Sequence, residues 1–111
     1  MNWFDRISLN RAASRYARRL PDEMRRCWGA GETYTPGQIR TAIAALELPP
    51  RWAALGYAAF LSEAEFAANA AAHPVALPYD VARACFERHR VKAFRTPYAF
   101  EGTKDGLLPG P

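Results

Sequence analysis

Apolar residues recur at helical spacing along most of the chain, and polar capping residues mark where one run stops and the next begins. The clearest run follows Thr35-Pro36-Gly37-Gln38, where Ile39, Ala42, Ile43 and Leu46 fall at i, i+3, i+4 and i+7. Thr35 suits the N-cap, Pro36 the first helical position, and Gln38 completes a capping box. The pattern predicts an amphipathic helix over 36–48, ended by Leu48-Pro49-Pro50. The next run, Trp52 to Leu61, is apolar nearly all the way round. A helix like that has to sit inside something. Residues 35–62 are therefore the expected core pair, and the rest of the chain covers them.

Upstream, Asn2 caps a helix starting at Trp3, with Asp5 near its positive end. Trp3, Phe4 and Ile7 share one face, while Leu9, Ala13, Tyr16 and Leu20 share the opposite one. Two readings follow. Either the helix breaks near Ser8, which recaps it, or it continues and sets Phe4 and Ile7 in line with Arg11, Arg15 and Arg18. Pro21 is expected to break or kink this helix and to open a short second one, PDEMRRCW, stopped by Gly29. Downstream, Ser62 and Glu65 form another capping box for an Ala-rich helix that carries Phe66 and ends at His73, before Pro74. A last helix is expected from Tyr79 to about Val91. After Lys92 the chain turns to Gly, Pro and scattered aromatics (Phe94, Tyr98, Phe100). Nothing alternates with period two. The expectation is an all-α fold, a single compact bundle of five or six short helices, with a helical domain over 1–95 and an irregular Gly/Pro-rich tail over 96–111.

Length and composition narrow this picture. The 111 residues suit one domain with a core of its own, and the 50% apolar and 13% aromatic content excludes a disordered chain. The longest uncharged apolar run, Trp52 to Leu61, is half of the roughly 20 residues that a membrane span needs. Arginines scattered through the first twenty residues leave no secretory segment. A soluble cytoplasmic protein without a membrane span is expected. Cys27 and Cys85 form no C-x-x-C pair and are too few for a disulfide framework.

Charge is uneven. The formal net charge is +4, and residues 1–26 carry all of it, with seven arginines against Asp5, Asp22 and Glu23. A second basic stretch holds Arg83, Arg88, Arg90, Lys92 and Arg95. Arginine outnumbers lysine 13 to 2, which a GC-rich codon bias explains; the clustering is not explained that way.

The candidate chemistry is thin. Cys27, His73, Cys85 and His89 are of the right types for a zinc site, but they lack two close ligand pairs. Cys85 and His89 at i and i+4 are the only local thiol–imidazole pairing, and no serine sits in a nucleophile elbow. Glu63 and Glu65 point in different directions on a helix. Gly29-Ala30-Gly31 follows no strand and precedes no Lys-Ser/Thr, so it is no phosphate loop. We assign no catalytic residue, metal ligand or cofactor. The helix pair 36–48 and 51–61 invites comparison with a helix-turn-helix, yet its second member has almost nothing polar to read a base edge.

What remains is a surface. Trp3, Phe4, Ile7, Arg11, Arg15 and Arg18 form the candidate binding face, with aromatic anchors leading into a basic stripe. The competing view of the aromatics is that they pack on each other and close the bundle. Together, Gly31-Glu-Thr-Tyr-Thr-Pro-Gly-Gln-Ile and the later Gly56-Tyr-Ala-Ala-Phe-Leu-Ser resemble a family of small uncharacterised bacterial proteins. In that family a Tyr-Thr-x-x-Gln-(Ile/Val) helix start precedes an Ala- and aromatic-rich helix. The resemblance spans about residues 10–90 and implies a bacterial, soluble, helical domain, with no activity and no site residue to carry over. The reading is a non-enzymatic helical protein acting through contact with a protein partner. The alternative is weak, sequence-nonspecific binding of nucleic acid or another anionic surface through the basic first two helices.

Overall fold

The computed structural model describes residues 2–31 and 33–95, with the backbone alone for 91–95. The expected tail over 96–111, with Tyr98 and Phe100, lies outside the described residues, as does the side chain of Phe94. Helix α1 runs unbroken from Trp3 to Trp28, 26 residues in all. The Asn2 side chain accepts from the Asp5 N–H at 2.8 Å and starts it. Ser8 does not recap the helix. Its hydroxyl oxygen instead accepts the indole N–H of Trp52 at 2.9 Å, so the continuous reading of the first helix holds.

Pro21 lies inside α1, which corrects the expected second helix at PDEMRRCW. The first two basic helices are one. A mid-helix proline forfeits one backbone hydrogen bond and costs about 3 kcal/mol. Leu20 and Met24, one on each side of it, are fully buried on the same face. Burying two such side chains contributes about 1.5–3 kcal/mol each, which outweighs the break. Gly29, at φ +81, stops the helix with its N–H on the Arg25 carbonyl at 2.8 Å. Tyr34 then donates to the Gly29 carbonyl at 2.8 Å and ties down the following loop.

Helix α2, Pro36–Ala45, opens on the expected box, with both Thr35 and Gln38 bonds formed. It ends earlier than Leu48. The Leu48 N–H reaches the Ile43 carbonyl and the Glu47 N–H the Ala44 carbonyl, both at 3.1 Å, the two bonds of a Schellman stop. Glu47 supplies the left-handed residue, at φ +54, a role usually given to glycine. The expected core helix arrives in two pieces, a 3₁₀ turn over Pro50–Trp52 and helix α3 over Ala54–Phe60. Every residue from Trp52 to Ala58 is buried.

Helix α4, Glu63–Ala68, has the predicted Ser62/Glu65 box. It stops before His73 because Asn69 folds back, its side-chain amide donating to the Glu65 carbonyl at 2.8 Å. A 3₁₀ turn over Ala70–Ala72 carries the chain on. Helix α5, Tyr79–Arg95, runs four residues past its expected end. It packs along α1 and α3, with Ala82, Cys85 and Phe86 buried. The fold is all-α, and no strand occurs among the described residues. Its centre is the crossing of α3 with α1 and α2 at Gly56. A Cβ there would lie 3.0 Å from Leu20 Cδ2, 3.1 Å from Ile43 Cδ1 and 3.2 Å from Tyr16 Cε1.

Two outcomes follow from this backbone and packing geometry. Gly56→Ala gains roughly 1 kcal/mol of helix propensity, but it crowds three core side chains at once, at about 1–3 kcal/mol. Chemical denaturation should show a net loss of about 1 kcal/mol. Glu47→Gly relieves the left-handed backbone and should stabilise by roughly 0.5–1 kcal/mol in the same assay.

His73 is buried between the rings of Tyr57 and Phe66, at centroid distances of 5.1 and 4.7 Å, and its Nε2 has no hydrogen-bond partner among the described residues. Burial holds its imidazole below the usual range. The unfolded chain therefore takes up this proton first as pH falls, and the stability His73 contributes is lost below pH about 6.5. His73→Phe should flatten stability against pH in that window. It should be no less stable than the parent at neutral pH, since the unpartnered nitrogen is gone.

Candidate functional site

The site is built on the outward face of α1. Its inward face, Ala12, Ala13, Tyr16, Ala17, Leu20 and Met24, is buried, and the 3.6-residue period sends the alternate positions to solvent. Trp3 and Phe4 are 66% and 73% exposed, so neither is used to close the bundle. Their rings meet edge to face, with centroids 5.0 Å apart and planes at 73°. Ile7 is half-buried, and Arg11, Arg15 and Arg18 are exposed. The continuous helix thus brings all six predicted residues onto one face. Phe4, Ile7, Arg11 and Arg15 also line a surface notch of about 370 Å³, completed by Ser8, Ala12 and Pro49.

Pro49 comes from the segment joining α2 to α3, and three contacts hold that segment against α1. Tyr16 donates its phenol hydrogen to the Pro49 carbonyl at 2.8 Å. Trp52 donates to Ser8, and Arg51 pairs with Asp5 at 2.8 Å while its guanidinium lies 5.1 Å from the centre of the Trp52 ring. Burial pushes the Tyr16 phenol well above its ordinary range, so it is a fixed proton donor.

The acidic residues of α1 are spent within the molecule. Asp5 is taken by Arg51, Asp22 pairs with Arg25, and Glu23 pairs with Arg26 at 2.6 Å. The hydrogen bond from Arg26 is the main reason that the Glu23 carboxyl sits below its usual range. Arg25 and Arg26, counted from sequence into the basic cluster, are thereby neutralised. Arg11, Arg15 and Arg18 have no ion-pair partner among the described residues. Within the second basic stretch, Arg90 pairs with Glu87 at 2.9 Å and Arg83 donates to the Tyr79 hydroxyl at 2.8 Å.

The remaining sequence candidates do not converge. Cys27 is exposed at the end of α1, Cys85 is buried on α5, and His73 lies in the core. Among the described residues no three of His, Cys, Asp and Glu are placed to hold a metal ion. Burial is the main cause that pushes the Cys85 thiol above its ordinary range, away from the thiolate a nucleophile needs. Helix α3 is enclosed and cannot enter a groove. Sequence reasoning missed a second, larger cleft of about 510 Å³, bounded by α2 (Arg40, Ala44, Glu47) and by Pro50, Ala72 and Pro74. Among the described residues no helix is long and apolar enough to cross a membrane.

No curated protein and no solved structure matches the chain. The profile of a family of unknown function does match, over residues 4–98. That span takes in α1 to α5, the helix that carries the exposed face and the core that holds it. The chain belongs to that family, DUF6559.

Proposed function

We propose that this protein is a non-enzymatic helical domain that works by docking another protein on the outward face of α1. One observation carries the reading: two exposed aromatics stand on the same helix face as three arginines that have no acidic partner among the described residues. Trp and Arg are the residue types that supply most binding energy at protein interfaces. Large exposed aromatics also gain the most from being covered. The two cysteines are unpaired, which suits the reducing cytoplasm in which we place the protein.

A second reading draws on the exposed arginines Arg6, Arg11, Arg15, Arg18 and Arg19, which have no ion-pair partner among the described residues. Nonspecific attraction to nucleic acid or another anionic surface would use the same residues, and its affinity would fall by orders of magnitude over about a fourfold rise in salt.

In-cell crosslinking tests the first reading. A photoreactive residue at Phe4 should trap a defined protein, and one at exposed Ala67 on α4 should not. Trp3→Ala with Phe4→Ala should abolish capture from an arginine-face position such as Arg18. Retention of every partner by that double variant would remove the aromatic tip from the site.

A further inference from the structure

We propose that the notch between α1 and Pro49 takes an apolar side chain of an acidic protein segment, with carboxylates beside that anchor engaging Arg11, Arg15 and Arg18. The proposal rests on reading the outward face of α1 as a protein-docking surface, and it names the chemistry of what docks. The notch, about 370 Å³, has apolar walls in Phe4, Ile7, Ala12 and Pro49, and its size is in the range that holds a bulky group. Its one hydroxyl, on Ser8, already accepts the Trp52 N–H. The walls are mostly apolar, so an apolar group fills the notch at the least desolvation cost.

Arg11 and Arg15 stand at the same notch, one helical turn apart, with Arg18 the next turn along. From Arg11 to Arg18 is about 10 Å along the axis, so acids one and two turns from an anchor on a partner helix reach them. A guanidinium fork matches a carboxylate in bidentate geometry. The notch is also held in shape before anything binds. Tyr16, Trp52 and the Arg51–Asp5 pair fix Pro49 against α1, which lowers the ordering cost of association.

Two other polyanions fit less well. Unpaired bases stack on open ring faces, and the edge-to-face contact of Trp3 with Phe4 covers one such face, while the mostly apolar notch walls offer a base's polar edges little. A bilayer needs a long apolar face, and here Trp3, Phe4 and half-buried Ile7 lie at one end of α1 and Trp28 at the other, with exposed Arg11, Arg15 and Arg18 between them.

Selection from a random-peptide display library on the full-length protein tests this. Enriched peptides should combine an aliphatic or aromatic residue with two or more Asp or Glu within two helical turns. A synthetic peptide of that composition should bind about tenfold or more weakly to Arg11→Glu/Arg15→Glu. Both positions are exposed and have no ion-pair partner among the described residues, so the variant should keep the parent's thermal midpoint. Phe4→Ala should also weaken binding, and raised salt should weaken it only in part.

Enriched peptides that bind at Phe4 without acidic residues would overturn the proposal while leaving α1 as the docking face. Absence of any enrichment overturns it as well, and absence of crosslinks at Phe4 in cells removes the underlying reading. A single-stranded oligonucleotide or a phosphatidylserine vesicle that displaces the peptide at equal charge would overturn it in favour of a nonspecific anionic surface.

Discussion

The contact at Gly56 fixes the arrangement of the other elements. Helix α3 is buried around its whole circumference, so α1, α2 and α5 have to enclose it. At Gly56 the missing side chain lets Leu20, Ile43 and Tyr16 close to within about one atomic contact of its backbone. Tyr16 then spends its hydroxyl on the Pro49 carbonyl, which satisfies a buried polar group and sets where the α2–α3 segment crosses α1. The notch between α1 and Pro49 exists because that crossing is fixed. Core geometry and surface geometry are joined through one tyrosine and one proline.

Helix α1 serves two surfaces. Its inward stripe of alanines with Tyr16, Leu20 and Met24 gives enough burial to carry the helix through Pro21. Its outward stripe contributes little to stability, and exposed ion pairs such as Arg25–Asp22 are worth about 1 kcal/mol or less. Their larger consequence is electrostatic. By occupying Asp5, Asp22 and Glu23, the pairs leave the middle of the helix with arginines and no local counter-charge. The charge excess visible in the first 26 residues therefore falls on Arg6, Arg11, Arg15, Arg18 and Arg19, of which Arg11, Arg15 and Arg18 share the face of the aromatic tip.

Local chemistry made much of this legible in the sequence. Thr35 with Gln38, Ser62 with Glu65, and Gly29 act over three or four residues, and each does what its spacing suggests. The shared face of Phe4, Ile7, Arg11, Arg15 and Arg18 follows from a 3.6-residue period once the helix is known to be continuous. That continuity was not legible, because Ser8 is claimed by Trp52, 44 residues away, and Asp5 by Arg51, 46 residues away. Pro21 reads as a break because its cost is local while its compensation, the burial of Leu20 and Met24, is tertiary. The early ends of α2 and α4 have a similar origin: Glu47 adopts a backbone state that favours glycine, and Asn69 competes for the Glu65 carbonyl. Pro49, as a wall of the notch, belongs to a crossing that no local pattern encodes.

The central claim is that α1 is one helix, because only then do the aromatic tip and the arginines share a face. Backbone chemical shifts from solution NMR test it most directly. An uninterrupted run of helical Cα shifts is expected from Trp3 to Trp28, through both Ser8 and Pro21, with the Trp52 indole N–H protected from exchange by Ser8. A return to random-coil shifts at Ser8, together with a freely exchanging indole, would separate Trp3, Phe4 and Ile7 from Arg11, Arg15 and Arg18 and contradict it.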